Sequence, residues 1–272
     1  MASPRRRPKD PEGRMSLGEH FAEFRQRALK SALAVLIGAI AAGYFYDEIF
    51  AFLSAPFNDY ADANPKSTIS LNFGEATSAL SNLLSMSIFV GVIGSSPIWL
   101  YQAWAFVMPG LTRKEKRVSL AFMGATVPLF LGGVWLGYTI LPQSLALLYG
   151  LSPEGTSNIQ QTSMYFSFVM RFIMVFGLGF LFPVFLVGLN LLGILSAQRM
   201  LRGWRVAVVG VVIFAAAATP TSDPFTMFVF AGPLIVLYFA ACGVAWLLDR
   251  RRAKARPDWL DVADDQASVL ED

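Results

Sequence analysis

The sequence predicts an all-α polytopic membrane protein, and three observations support that prediction. Of its 272 residues, 55% are apolar and only 15% are charged, whereas soluble domains carry roughly 25% charged residues. The uncharged residues form several long runs, comparable with the roughly 20 residues that a helix needs to cross the hydrocarbon core of a bilayer. Lysines and arginines collect in alternate segments between those runs, which is typical of membrane proteins with basic cytoplasmic loops.

Charged residues and prolines set the bounds of six predicted transmembrane helices. Backbone groups in lipid must be hydrogen-bonded within the segment, so helices are the expected structure. The predicted spans cover about residues 29–47, 76–97, 117–141, 163–189, 205–221 and 224–247. We expect the second span to end near Pro97, with residues 98–112 in an interfacial loop, and the third to end near Pro142. The fifth and sixth helices are predicted to be short, within a concave bundle.

A short amphipathic helix is predicted ahead of span one. Ser16 and Glu19 in "SLGE" match a capping box, in which each side chain satisfies an exposed amide of the first turn. Phe21, Phe24 and Ala28 then fall on one apolar face with Leu17. We expect this helix to lie in the membrane interface before the chain turns into span one.

The distribution of basic residues predicts that both termini lie in the cytoplasm. Of the 22 lysines and arginines, 20 lie in segments that the six spans place on one side, while Lys66 lies alone on the other and Arg171 lies within span four. Residues 15–248 are predicted to form a single six-span domain. The basic segment 1–14 and the charged segment 249–272 are predicted to be disordered tails.

The composition argues against catalytic or metal-binding chemistry. A single cysteine, Cys242, excludes a disulfide framework within the chain, and a single histidine, His20, gives no basis for a His-rich metal site or a His-dependent triad. No paired acids, Ser/His set or metal-ligand cluster lies within a predicted span, which disfavours an intramembrane enzyme. We therefore expect no enzymatic activity, no metal, no cofactor and no nucleic-acid partner.

Two charged segments stand out next to the apolar runs. In "EHFAEFRQR", residues 19–27, Glu23 lies one helical turn before Arg27, the spacing of an exposed intrahelical ion pair. In "YQAWAFVMPGLTRKEKR", residues 101–117, the aromatic residues and four cations are typical of an interfacial anchor. Glu115 has no place in such an anchor. Its basic neighbours favour a hydrogen-bonded carboxylate, which would accept an incoming guanidinium by exchanging partners.

Five segments, in order along the chain, resemble motifs of TatC, the polytopic subunit of the twin-arginine protein translocase. The two charged segments resemble the family's N-terminal signature and its first cytoplasmic loop. Three others resemble its first outer-loop motif, its fourth span and the loop between its last two spans: "SAPF" at 54–57, "SFVMRFIMVFGLGFLFP" at 167–183 and "TPTSDPFTM" at 219–227. The resemblance extends from about residue 15 to residue 248.

The resemblance implies a receptor in the bacterial cytoplasmic membrane that binds signal peptides with paired arginines. It also implies export of folded proteins by the proton-motive force, with single-span partner subunits of the TatA/TatB type and a homo-oligomeric place in a larger complex. The signal-peptide-binding residues transferred by position are Glu23, Arg25, Phe106, Arg113, Glu115 and Arg117. Pro56 and Asp223 match functional positions of the outer loops. One position departs from the family, because many members carry a glutamate where this chain has Leu181.

Arg171 is a charge that the resemblance does not require. At its predicted depth in span four, a charged side chain costs on the order of 3 kcal/mol and usually faces protein or water. An ion pair with Glu75, or second with Asp223, is one interpretation. Snorkelling to the outer interface and docking of a partner are the other two.

A secondary transporter of a small solute is the main alternative function. Six spans and a buried arginine are compatible with that class. Such transporters place ionisable groups near the midplane in broken helices, whereas the ionisable residues of this chain concentrate at the two membrane faces. The distribution of charge therefore favours the translocase.

Overall fold

The computed structural model describes residues 17–65, 69–74, 77–107, 113–150, 158–191, 193–218 and 224–254. Within these ranges, ten helices and two short strands follow one another: α1 (Leu17–Tyr44), α2 (Tyr46–Ala63), β1 (Ile69–Asn72), α3 (Ser78–Gly94), α4 (Ser96–Val107), α5 (Arg113–Gly150), β2 (Asn158–Gln161), α6 (Thr162–Gly179), α7 (Leu181–Leu191), α8 (Ala197–Arg202), α9 (Trp204–Ala218) and α10 (Pro224–Lys254). The dominance of helix confirms the predicted all-α class.

Several of these helices are long and apolar enough to cross a membrane. Among the described residues there are four such segments: Gly18–Tyr44, Gly124–Gly150, Thr162–Leu191 and Phe230–Ala253. The bent pair α3–α4 makes a fifth if it is counted as one span, and α9 is apolar but has only 15 residues. Large apolar side chains such as Leu33 and Ile40 are 58% exposed, which suits a lipid-facing surface. The chain is therefore a multi-pass membrane protein, and the total of six spans remains a prediction.

The chain divides into two compact units, residues 1–178 and 179–272. In unit one, the backbones of α1 and α3 touch at Gly38 and Gly91. A Cβ atom built on Gly91 would lie 2.5 Å from the backbone nitrogen of Ala39 and 2.8 Å from the carbonyl oxygen of Val35. Small residues permit this close approach in membranes, where van der Waals packing drives the association of helices.

The chain bends by 62° between α3 and α4. Pro97 has no N–H, so the carbonyl of Ile93 loses its usual helical donor, and the proline is tolerated in the first turn of the new helix. The indole Nε1 of Trp99 donates to the carbonyl of Val92 at 2.9 Å. This bond gives a neighbouring carbonyl at the bend a side-chain donor. A break at Pro97 was predicted and is present. The predicted loop over residues 98–112 is wrong for residues 98–107, because they belong to α4.

Helix α2, which the sequence analysis did not predict, carries Pro56 buried in its interior. Because Pro56 lacks an N–H, the carbonyl of Phe52 loses its helical donor. The hydroxyl of Tyr138 in α5 donates to this carbonyl at 3.0 Å. The hydroxyl of Tyr165 in α6 donates to the next carbonyl, that of Leu53, also at 3.0 Å. The carbonyl that Pro56 leaves without a helical donor thus accepts the hydrogen bond that connects α2 to α5.

The two strands form a small parallel pair. Ile69 lies opposite Asn158, and Asn72 lies opposite Gln161. Each strand has only four residues, too few for an alternating pattern to be recognised in the sequence. The pair joins the segment that follows α2 to the segment that precedes α6.

Three helix ends differ from the predictions. Helix α1 is continuous from Leu17 to Tyr44, so no turn separates the amphipathic segment from span one. Helix α5 continues through Pro142 to Gly150, since membrane helices tolerate proline where neighbouring groups rescue the freed carbonyl. Helix α10 has 31 residues and reaches Lys254, so the sixth helix is not short.

In unit two, a polar cluster explains the length of α10. The carboxylate of Asp249 accepts hydrogen bonds from Nδ2 of Asn190 at 2.9 Å and from the backbone N–H of Ala197 at 2.8 Å. Arg252 donates from Nη1 to the carbonyl of Asn190 at 2.8 Å. These charge-assisted bonds connect α10 to the end of α7 and the start of α8. The helix therefore includes residues 249–254, which the sequence analysis assigned to the tail.

Replacing Gly91 with alanine tests the contact between α1 and α3. Gly91→Ala should destabilise the protein by about 1–3 kcal/mol, because the two backbones must separate. Gly94→Ala is the matched control, since a Cβ atom there meets nothing within 4 Å and alanine is favoured over glycine in helices by about 1 kcal/mol. The measurement is the apparent melting temperature in detergent. Equal melting temperatures of the two variants would contradict this close contact between α1 and α3.

A double-mutant cycle tests the contact between α2 and α5. Tyr138→Phe should cost about 0.5–1.5 kcal/mol by removing the donor to the carbonyl of Phe52. In a Pro56→Ala background the alanine N–H supplies a donor, so Tyr138→Phe should cost less, with a coupling energy of about 0.5 kcal/mol or more. Tyr60→Phe is the control, because Tyr60 of α2 packs against Tyr149 of α5 and the substitution also removes a tyrosine hydroxyl. Additive losses in thermal unfolding would show that the hydroxyl does not replace the missing N–H.

Candidate functional site

The N-terminal part of α1 and the second half of α4 form one surface in unit one. The ring of His20 stacks on Phe106 with centroids 4.5 Å apart, and Phe24 packs against the same ring at 5.3 Å. At a rise of 1.5 Å per residue, Glu23 and Tyr44, which are 21 positions apart in α1, are separated by about 32 Å along the helix axis. The surface therefore lies at the end of α1 that is remote from α2.

A groove of about 330 Å³ opens between α1 and α4 on this surface. Its lining is mainly apolar, with one guanidinium and one carboxamide: Phe24, Arg27, Ala28 and Ser31 from α1, and Trp99, Gln102, Ala103 and Phe106 from α4. Apolar walls with a few placed polar groups are typical of binding sites. This arrangement suits a ligand that combines an apolar body with hydrogen-bonding side chains.

Arg27 holds the carboxylate of Glu23 beside the groove. Its Nε and Nη2 atoms both donate to Oε1 of Glu23, at 2.9 and 2.5 Å. The Arg27 side chain is 25% exposed and that of Glu23 is 20% exposed, so the predicted intrahelical pair forms but is more buried than expected. Oε2 of Glu23 is buried and has no hydrogen-bond partner among the described residues.

Gln102 is a polar residue of the site that the sequence analysis did not identify. Nη1 of Arg27 donates to Oε1 of Gln102 in a long contact of 3.4 Å. Gln102 is the one carboxamide within α4, in the quoted segment "YQAW", and this isolated polar position in an apolar helix was the available signal. The contact links the charged segment of α1 to α4.

The structure describes only some of the predicted binding residues. It brings Glu23 and Phe106 to the same surface, and Arg25 is exposed on α1. The backbones of the other three lie in the first turns of α5, but their side chains lie outside the described part of the structure: Arg113, Glu115 and Arg117.

The remaining predicted residues lie elsewhere. Pro56 is buried in α2, and Leu181 is the first residue of α7. Arg171 is exposed on α6. Glu75 and Asp223 lie outside the described residues, so the pairing of Arg171 with either of them remains a prediction.

A second groove, of about 450 Å³, lies among α2, α3, α5 and α6. Its lining is almost wholly apolar, and Glu48 is the one charged residue in it. None of the predicted signal-peptide-binding residues lines this groove. Within the described ranges, no group of three or more His, Cys, Asp or Glu side chains lies close enough together to hold a metal ion.

Known proteins resemble the chain along most of its length. The family model of the Sec-independent protein translocase protein (TatC) matches residues 19–233. The Sec-independent protein translocase protein TatC of Xylanimonas cellulosilytica is 44% identical over 238 residues, which cover 88% of this chain and 86% of that protein. The protein of the same name from Synechocystis is 33% identical over 237 residues, 87% of this chain and 90% of that one.

A solved structure resembles the chain in fold as well. The crystal structure of the twin arginine translocase receptor TatC in DDM gives a TM-score of 0.71 at 30% identity, and the match covers 83% of this chain and 99% of that one. The family match includes both helices of the surface around Glu23 and Phe106. The chain therefore belongs to the TatC family of Sec-independent protein translocase proteins.

Proposed function

We propose that this chain is the signal-peptide receptor of a twin-arginine translocase in a bacterial cytoplasmic membrane. The observation that carries the proposal is the surface where the Glu23 carboxylate, the Phe106 ring and the groove between α1 and α4 meet. Membership of a translocase family supports a role in protein transport. The mixed apolar and charged surface supports a peptide ligand.

Two carboxylates would distinguish paired arginines from paired lysines. A guanidinium presents a rigid planar fork of donors to a carboxylate, and an ammonium does not. Glu23 and Glu115 each take one arginine, and each charge-assisted bond contributes about 1.5–3 kcal/mol. The ring of Phe106 packs against the incoming peptide. Arg25, Arg113 and Arg117, each two residues from one of the acids in the sequence, contribute to the same binding surface.

The receptor would work with other subunits. Both termini and the Glu23 surface face the cytoplasm, which the distribution of lysine and arginine supports. Single-span subunits of the TatA/TatB type assemble with copies of this chain, and the complex exports folded proteins with the proton-motive force. Pro56 and Asp223 belong to the opposite, outer side.

Neutralising the two acids tests the recognition of arginine. Glu23→Gln and Glu115→Gln should each weaken the binding of a paired-arginine signal peptide about 10- to 100-fold, since each loses a charge-assisted pair. Binding of a labelled peptide to the purified full chain measures the effect, with a paired-lysine peptide for comparison. Glu48→Gln is the control, because it removes an exposed carboxylate outside this surface. Parent-like binding by both test variants would refute the proposal.

Cysteine labelling tests the orientation. In a Cys242→Ala background, which removes a thiol that is only 1% exposed, three exposed positions are changed singly: Gly18→Cys, Tyr101→Cys and Asp62→Cys. A membrane-impermeant maleimide should label Asp62→Cys from outside and the other two only after the membrane is opened. Labelling of Gly18→Cys and Tyr101→Cys from opposite sides would exclude a shared cytoplasmic surface.

A further inference from the structure

We infer that Arg27 is a specificity-determining residue of this surface. Its guanidinium donates two hydrogen bonds to the carboxylate of Glu23, and an arginine of the signal peptide binds Glu23 by displacing it. The inference rests on the proposed function and extends it to a residue outside the set transferred by resemblance. Recognition is then an exchange of one guanidinium for another.

Arg27 separates the groove from the carboxylate of Glu23. Arg27 and Phe24 line the groove, whereas Glu23 does not. Oε2 of Glu23 is buried, and Oε1 already accepts two donors from Arg27. A ligand side chain in the groove therefore meets Arg27 before it reaches the carboxylate.

The pair between Arg27 and Glu23 uses only one of the two carboxylate oxygens. A guanidinium binds a carboxylate best through two parallel bonds, one to each oxygen. Arg27 uses Oε1 alone, and Oε2 has no donor within the described part of the chain. A buried acceptor without a donor is costly. Once Arg27 has moved away, an incoming arginine that donates to both oxygens makes the better pair, and this difference favours the exchange.

Gln102 provides a place for the displaced guanidinium. Its Oε1 lies 3.4 Å from Nη1 of Arg27, and both side chains line the groove. Arg27 can rotate towards α4, shorten this contact and keep a hydrogen bond after it leaves Glu23. The exchange then leaves no charged group without a partner.

The exchange also sets a threshold for the ligand. To displace Arg27, a ligand must replace two charge-assisted bonds on one carboxylate. The compact ammonium of lysine lacks the planar fork and does not reach both oxygens in parallel. Arg27 therefore suppresses binding of peptides that carry lysine in place of arginine.

Peptide binding to Arg27 variants of the full chain tests the exchange. Arg27→Gln should tighten the binding of a paired-arginine peptide about 5- to 20-fold, since a charge-assisted contact no longer has to be broken. It should also make binding of a paired-lysine peptide measurable. Arg27→Lys retains the charge without the fork and should tighten binding about 2- to 5-fold. Lys30→Gln removes an exposed charge from the same helix and should change binding by less than about twofold.

Three results would overturn the inference. The first is unchanged or weaker binding by both Arg27 variants at parent-like melting temperatures. The second is equal tightening by Lys30→Gln, which would assign the effect to net charge. The third is tightening by Arg27→Gln that persists in a Glu23→Gln background, because the gain requires the carboxylate.

The same assays separate this inference from the proposed function. If Glu23→Gln alone leaves paired-arginine binding unchanged, the proposed role of Glu23 fails. If Glu23→Gln weakens binding while the Arg27 variants do not tighten it, only the exchange fails. Should Arg27→Gln melt early, Arg27→Lys decides the question.

Discussion

The backbone contact between Gly38 and Gly91 is the constraint on which the surface in unit one depends. It sets α1 against α3 at a separation that only glycine permits. The 62° bend after α3 then directs α4 along the N-terminal part of α1, where Phe106 meets His20 and Phe24. A wider separation of α1 and α3 would move α4 away from α1 and open the groove between them. Packing in the middle of the membrane domain thus determines the geometry at its end.

Aromatic donors make the proline-containing helices possible. A proline frees the carbonyl four residues earlier, and a carbonyl that is shielded from water needs another donor. Tyr138 donates to the carbonyl freed by Pro56, and Trp99 donates to a carbonyl at the bend beside Pro97. Tyrosine and tryptophan suit this task because each combines a large apolar body with one donor. The prolines therefore shape the fold without leaving these carbonyls unpaired.

Local pattern predicted the helical class, because long uncharged runs and alternating basic segments depend only on nearby residues. It did not predict the helix after Pro97 or the extension of α10, because both depend on distant partners such as Asn190 for Asp249. Motif resemblance indicated Glu23 and Phe106, and the structure places them on one surface. The groove was beyond the sequence, since it follows from the angle between α3 and α4. The single-oxygen contact of Arg27 was also beyond it, since a spacing of four residues predicts the pair but not which oxygen accepts.

The position of the acids at the end of the helices follows from the cost of charge in lipid. A charged side chain at mid-membrane costs on the order of 3 kcal/mol, so the paired arginines of the proposed ligand could not enter the hydrocarbon without strong compensation. At full exposure, in contrast, an ion pair spaced four residues apart contributes only about 0.3–0.5 kcal/mol. With 20–25% of each side chain exposed, the Glu23–Arg27 pair is neither fully exposed to water nor fully buried. At this intermediate exposure, water screens the charges less than at the surface. The planar fork of arginine therefore still binds a carboxylate better than the ammonium of lysine does.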